Sequence, residues 1–139
     1  MTVVHGLMRD VGNLAPAVPG NPPLLDKAHI NQLCVVLGLT RVEALFELLS
    51  RELADRPAVI RKAVLAGDLN RARHESHSFK GATTSVGAMA LGRAAAFIEQ
   101  APDLSAMAAA LPELDRQAVR TRRAVANLRL ASSFAHEPH

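Results

Sequence analysis

The chain has 139 residues, 49% of them hydrophobic and only 3% aromatic, with no Trp or Tyr and a formal net charge of +3. That length suits one domain with a sizeable core, and a single cysteine excludes an internal disulfide and fits a reducing cytoplasm. No apolar run approaches the ~18 residues of a membrane-spanning helix, the first residues lack a signal-peptide pattern, and a sequence pI of 9.8, set by scattered arginines, does not by itself imply nucleic acid.

Residues 1–23 carry Gly6, Gly12, Pro16, Pro19, Gly20, Asn21, Pro22 and Pro23, which predicts a flexible leader or linker. A helical domain is expected over 24–131 and a frayed tail over 132–139. Few β-branched runs and long patterns of period 3.6 argue for an all-α chain. Asp26 is placed to N-cap a first helix carrying Ile30, Leu33, Cys34, Val36 and Leu37, which Gly38 ends. Thr40 to Glu43 has capping-box spacing and predicts the start of a second helix with Val42, Leu45, Phe46, Leu49 and Leu53. Pro57 lacks an N–H and clashes with the preceding turn, so it should divide or bend that helix before Val59, Ile60, Ala63 and Val64 resume the pattern.

Asp68 then caps a helix containing His74-Glu75-Ser76-His77-Ser78-Phe79-Lys80-Gly81. At ~100° per residue, Arg73, Lys80, Gly81 and Thr84 project within roughly 60° of His77. Ala72, Phe79, Ala82 and Val86 fall on the opposite side, so they face a core and leave the imidazole in solvent. A neutral ring is a nucleophile near pH 7. Lys80 can neutralise phosphoryl oxygens, and Gly81 lets a second protein come close. Gly81 does not end the helix, since the pattern continues past it at a cost of about 1 kcal/mol relative to Ala. Gly87 does suit a helix end. Glu75 falls on the Phe79 side, where an unpaired carboxylate would be costly. It must either reach the bundle edge or meet an arginine such as Arg122.

A further helix follows from about Ala88 to Gln100, with Leu91, Ala94, Ala95 and Ile98 on one side. After the turn Ala101-Pro102-Asp103, the last helix repeats Leu111, Leu114, Ala118, Thr121, Val125 and Leu128 at 3–4 spacing. Arg116, Arg120, Arg122, Arg123 and Arg129 lie on its other faces, the pattern of a solvated helix. Four principal amphipathic helices with short turns make an antiparallel four-helix bundle, with an additional short N-terminal helix.

His77-Ser78-Phe79-Lys80-Gly81, followed by Ser85-Val86-Gly87-Ala88, resembles the signature H-x-φ-K-G-(x)-S-φ-G-A of histidine-containing phosphotransfer (HPt) domains, over roughly residues 24–130. Glu99, closing the next helical pattern, also suits the family. The resemblance implies an all-α bundle of HPt type with His77 as the phosphorylated nucleophile and Lys80 stabilising phosphoryl charge. A partner would dock over Arg73, His74, Gly81 and Thr84. It implies a monomeric cytoplasmic phosphocarrier that is not an enzyme, taking a phosphoryl group from one receiver domain's aspartate and passing it to another's. Mg²⁺ would be supplied by the receiver. The chain shows no kinase-type glycine loop for ATP. No metal site is expected, because His74 and His77 are only a pair and zinc needs three or four ligands. The rival readings are a helical interaction module whose His is never phosphorylated, and a nucleic-acid binder using the arginine-rich last helix.

Overall fold

The computed structural model describes residues 22–136, with side chains up to residue 128, so the expected leader lies almost wholly outside the described residues, as do 137–139. Among the described residues there are five helices: α1 (Lys27–Leu37), α2 (Leu39–Leu65), α3 (Leu69–Ser85), α4 (Met89–Gln100) and α5 (Leu104–His136). α2 packs against α3 and α5, α3 against α4, and α4 against α5, which closes an antiparallel ring of four; α1 lies against α2 outside it. No described helix is long and apolar enough to cross a membrane.

The periodic residues of the sequence build the interior. Leu91, Ala94, Ala95 and Ile98 of α4 are buried, as are Leu111, Leu114, Ala118, Thr121, Val125 and Leu128 of α5. They meet Val42, Phe46, Leu49, Leu53, Ile60, Ala63 and Val64 of α2, with Phe79 of α3 fully buried. Each large side chain removed from water in this way contributes about 1.5–3 kcal/mol. α1 contributes less. Ile30 is buried, whereas Val36, expected on its apolar face, is 69% exposed. Packed mainly against α2, α1 buries only a narrow stripe.

Three local expectations need correction. The capping box at Thr40 and Glu43 does not form, because Gly38 occupies the N-cap of α2 without any side-chain cap bond. At φ +86° Gly38 turns the chain directly from α1 into α2, its N–H donating to the Cys34 carbonyl at 3.0 Å, so Thr40 already lies within the first turn. Pro57 does not divide α2, which runs through it from Leu39 to Leu65. The proline ring is itself buried, and Leu53 and Ile60 on either side face the same core. Their burial, at about 1.5–3 kcal/mol each, outweighs the ~3 kcal/mol cost of an interior proline. Ala82, expected in the core, is exposed, whereas Ser76 and Thr83 are fully buried. The buried face of α3 thus centres about 50° round the helix from the point opposite His77, because α4 packs closely along one flank.

The chain ahead of α1 is tied to the turn between α3 and α4. Asp26 caps α1 through its side chain, which accepts from the His29 N–H at 3.2 Å. Its backbone N–H donates to the Gly87 carbonyl at 2.6 Å, and the Pro23 carbonyl accepts from the Ala90 N–H at 3.0 Å. His29 Nε2 donates to the Ser85 carbonyl at 2.7 Å. Gly87 makes this approach possible. It sits at φ +86°, and a Cβ there would come within 3.2 Å of the Asp26 carbonyl oxygen and 3.3 Å of Ile30 Cγ1. Gly87→Ala is therefore expected to destabilise the domain by more than about 1 kcal/mol and to lower amide-exchange protection at Asp26 and Ala90. Unchanged denaturation and unchanged protection at both amides would show that the turn accepts a side chain.

Candidate functional site

α3 places His77 midway along its length because Asp68 fixes the first turn, its carboxylate accepting from the Arg71 N–H at 3.1 Å. Ala72, Ser76, Phe79 and Thr83 are drawn inward. The His77 side chain is left 67% exposed.

The imidazole is oriented from α4. His77 Nδ1 lies 2.6 Å from Glu99 Oε2, and Lys80 Nζ lies 2.7 Å from Glu99 Oε1. Each carboxylate oxygen therefore takes one partner. The Lys80 contact, and after it that of His77, holds the Glu99 carboxyl below the usual carboxylate range, against the opposing effect of burial. An ionised carboxylate only accepts, so Nδ1 carries the proton shared with Glu99, and in the neutral ring the lone pair is then on Nε2. Glu99 is 23% exposed, so its carboxylate is partly screened from water while the ring remains open.

The other expected site residues divide by flank. Gly81 and His74 are exposed, and a Cβ at Gly81 would meet nothing within 4 Å. Arg73 is half-buried and donates to the Ala101 carbonyl at 3.0 Å, placing a cation at the C-terminal end of α4. Thr84 also turns toward α4. Its hydroxyl donates to the Lys80 carbonyl at 2.8 Å, and its methyl lies against Gly92. Glu75 meets an arginine, but from α2: Arg56 Nη1 donates to Glu75 Oε1 at 3.1 Å, so the partner is Arg56 and not Arg122. Rotation of the α3 face carries Glu75 to the α2 seam. Arg56 Nη2 also donates to Ser78 Oγ at 2.8 Å, beside His77, and Arg56 Nε lies 3.3 Å from Glu52.

Sequence reasoning noticed Glu99 only as fitting a family pattern and gave Arg56 no role. The available signal for Glu99 was its place as the one carboxylate of α4, an otherwise apolar helix broken only by Arg93 and Gln100. Nothing local marked Arg56, whose partners lie on another helix. No group of three or more His, Cys, Asp or Glu among the described residues is placed to hold a metal ion.

The arrangement is an exposed imidazole with one nitrogen tethered, a cation one turn away and an open glycine beside it. Neither a search of curated proteins nor one of solved structures returns a match. A family model described as the Hpt domain matches residues 44–131, more than half of the chain, from the second turn of α2 into α5. The chain therefore belongs to the Hpt domain family, the phosphotransfer domains of two-component signalling.

Proposed function

We propose that the chain is a phosphorelay intermediate in which His77 accepts a phosphoryl group from the aspartyl phosphate of one receiver domain and delivers it to the aspartate of another. The observation that carries this reading is the tether from His77 Nδ1 to Glu99, which leaves Nε2 as the free nucleophile on the solvent side.

The Nε2 lone pair attacks phosphorus in line with the aspartyl oxygen. As the N–P bond forms the P–O bond breaks, and its electron pair leaves with the aspartate carboxylate. The Nδ1 proton stays in place, and the positive charge that develops on the ring is balanced by Glu99 2.6 Å away. Mg²⁺ and most of the neutralisation of phosphoryl charge come with the receiver. Lys80, within one turn of His77, adds a mobile cation from this chain. Because Glu99 contacts both groups, it presets their spacing before the partner arrives. Transfer to the second receiver is the same step reversed. Gly81 and His74 form the open part of the docking face, with Arg73 and Thr84 on its α4 side.

His77→Gln is expected to abolish phosphate acceptance while shifting stability by no more than ~0.5 kcal/mol, since the ring is largely in solvent. Incubation with a phosphorylated receiver followed by phosphate mapping checks this, and label appearing on His74 would reassign the acceptor.

Glu99→Gln keeps the shape but removes the charge. Transfer should slow roughly 10- to 100-fold, the equivalent of losing one charge-assisted hydrogen bond of about 1.5–3 kcal/mol. The stability it removes has a definite pH window. Glu99 has a lowered pKa in the fold, so its contribution is fully present above the ordinary carboxylate pKa and is lost as pH falls through the lowered one. The parent and the variant should therefore differ at neutral pH and converge in acid. Equal stabilities at pH 7 would mean that the carboxylate contributes nothing to the bundle.

Gly81→Arg separates docking from chemistry. The fold should persist, because no atom stands within 4 Å of an added Cβ. Transfer from the receiver should fall severely, while phosphorylation by phosphoramidate, which needs no protein surface, continues. Normal transfer from the receiver would place its docking site elsewhere.

A further inference from the structure

We propose that Gly92 is a positioning residue for the His77 site: having no side chain, it sets how closely α4 approaches α3, and thereby whether Glu99 reaches the imidazole. This rests on reading His77 as the phosphoryl acceptor.

The two helices run antiparallel, and two contacts on their seam share one register. Gly92 faces Thr84 and Glu99 faces His77, each pair seven residues from the other along its own helix. Seven residues are about two turns, so each helix returns nearly the same face to its neighbour after roughly 10 Å. The spacing at the first contact is therefore transmitted to the second by two rigid helical segments.

Gly92 is buried, and the clearance there is nil. A Cβ on Gly92 would lie 2.5 Å from Thr84 Cγ2 and 3.3 Å from Thr83 Oγ1. Neither side chain is free to turn away. Thr84 Oγ1 donates to the Lys80 carbonyl at 2.8 Å and lies 3.3 Å from that of Gly81. Thr83, fully buried, donates to the same Lys80 carbonyl at 3.1 Å. Threonine in a helix chooses between few rotamers, and those available are the ones that keep such bonds. Swinging the Thr84 methyl aside would release a hydroxyl bonded to the backbone of Lys80, itself part of the site. The relief for an added methyl is thus outward movement of α4. Opening the 2.5 Å contact to an ordinary van der Waals distance needs a shift of roughly 1 Å, and the same shift at Glu99, whose carboxylate bridges two groups at 2.6 and 2.7 Å, takes it beyond charge-assisted hydrogen-bond range.

The test compares the full chain with Gly92→Ala, Thr84→Ser and the double variant Gly92→Ala/Thr84→Ser. Serine keeps the hydroxyl and lacks the methyl. The first readout is the ¹⁵N NMR signature of the His77 ring, which reports the proton on Nδ1 and its bond to Glu99 independently of phosphorylation. Gly92→Ala is expected to lose the single-tautomer signature and to take up phosphate from phosphoramidate about tenfold more slowly. The double variant should regain the signature and match Thr84→Ser alone within about twofold. A Gly92→Ala chain with the parental ring signature overturns the proposal. If Gly92→Ala fails to fold, a folded double variant with the parental signature supports it, and a double variant that also fails to fold overturns it. A parent chain that takes no phosphate, yet shows the ring response to Gly92→Ala, refutes the phosphorelay reading and leaves the positioning role intact.

Discussion

A single carboxylate on α4 holds the exposed imidazole of His77 and the Lys80 cation of α3 together. Glu99 receives His77 on one oxygen and Lys80 on the other, so two side chains that would otherwise sample several rotamers share one anchor. The contact works because it is half-shielded. A bridge fully in water would be screened and weak, and one fully buried would carry the desolvation cost of its charges. At the edge of the α3–α4 seam the carboxylate remains ionised, while the imidazole it orients remains accessible.

The rest of the bundle can be understood as support for that edge. Ala72, Phe79 and the α4 residues Leu91, Ala95 and Ile98 are fully buried, which draws α3 and α4 into close contact along the flank that carries Lys80 and Thr84. Arg73 ties the far end of that seam to the Ala101 carbonyl, and the Asp26–Gly87 bond ties the turn between the two helices to the start of α1. On the opposite flank Arg56 joins α2 to α3 through Glu75 and Ser78. His77 therefore projects from a helix braced on both sides. Only its outward face, with Gly81 and His74, stays open.

The fold was legible in the sequence to the extent that burial is periodic. Every residue of the periodic repeats read in α4 and α5 is buried, and Asp26 and Asp68 cap the helices they precede, because amphipathic period and N-cap chemistry are local properties. The direction of His77 was equally local, since it follows from the angle between that residue and Phe79 on one helix. Elsewhere local rules were outweighed. Pro57 sits inside an uninterrupted helix because its neighbours are buried on the same face, and the capping box at Thr40 was bypassed by the left-handed turn of Gly38.

What the sequence determined by itself was the kind of bundle and the presence of a nucleophile, a cation and a glycine on one helical face. Tertiary structure decided which groups complete them. The partners of His77, Glu75 and Ser78 lie on other helices, 22, 19 and 22 residues away in the chain, and the choice of Glu99 and Arg56 depends on helix rotation and on interaxial distance. Those two quantities are set by packing volume at positions such as Gly92 and Thr84, where the sum of two facing side chains matters and neither residue is informative alone. A linear pattern records which residues are apolar or charged; how far apart two helices come to rest is a property of the surfaces they share.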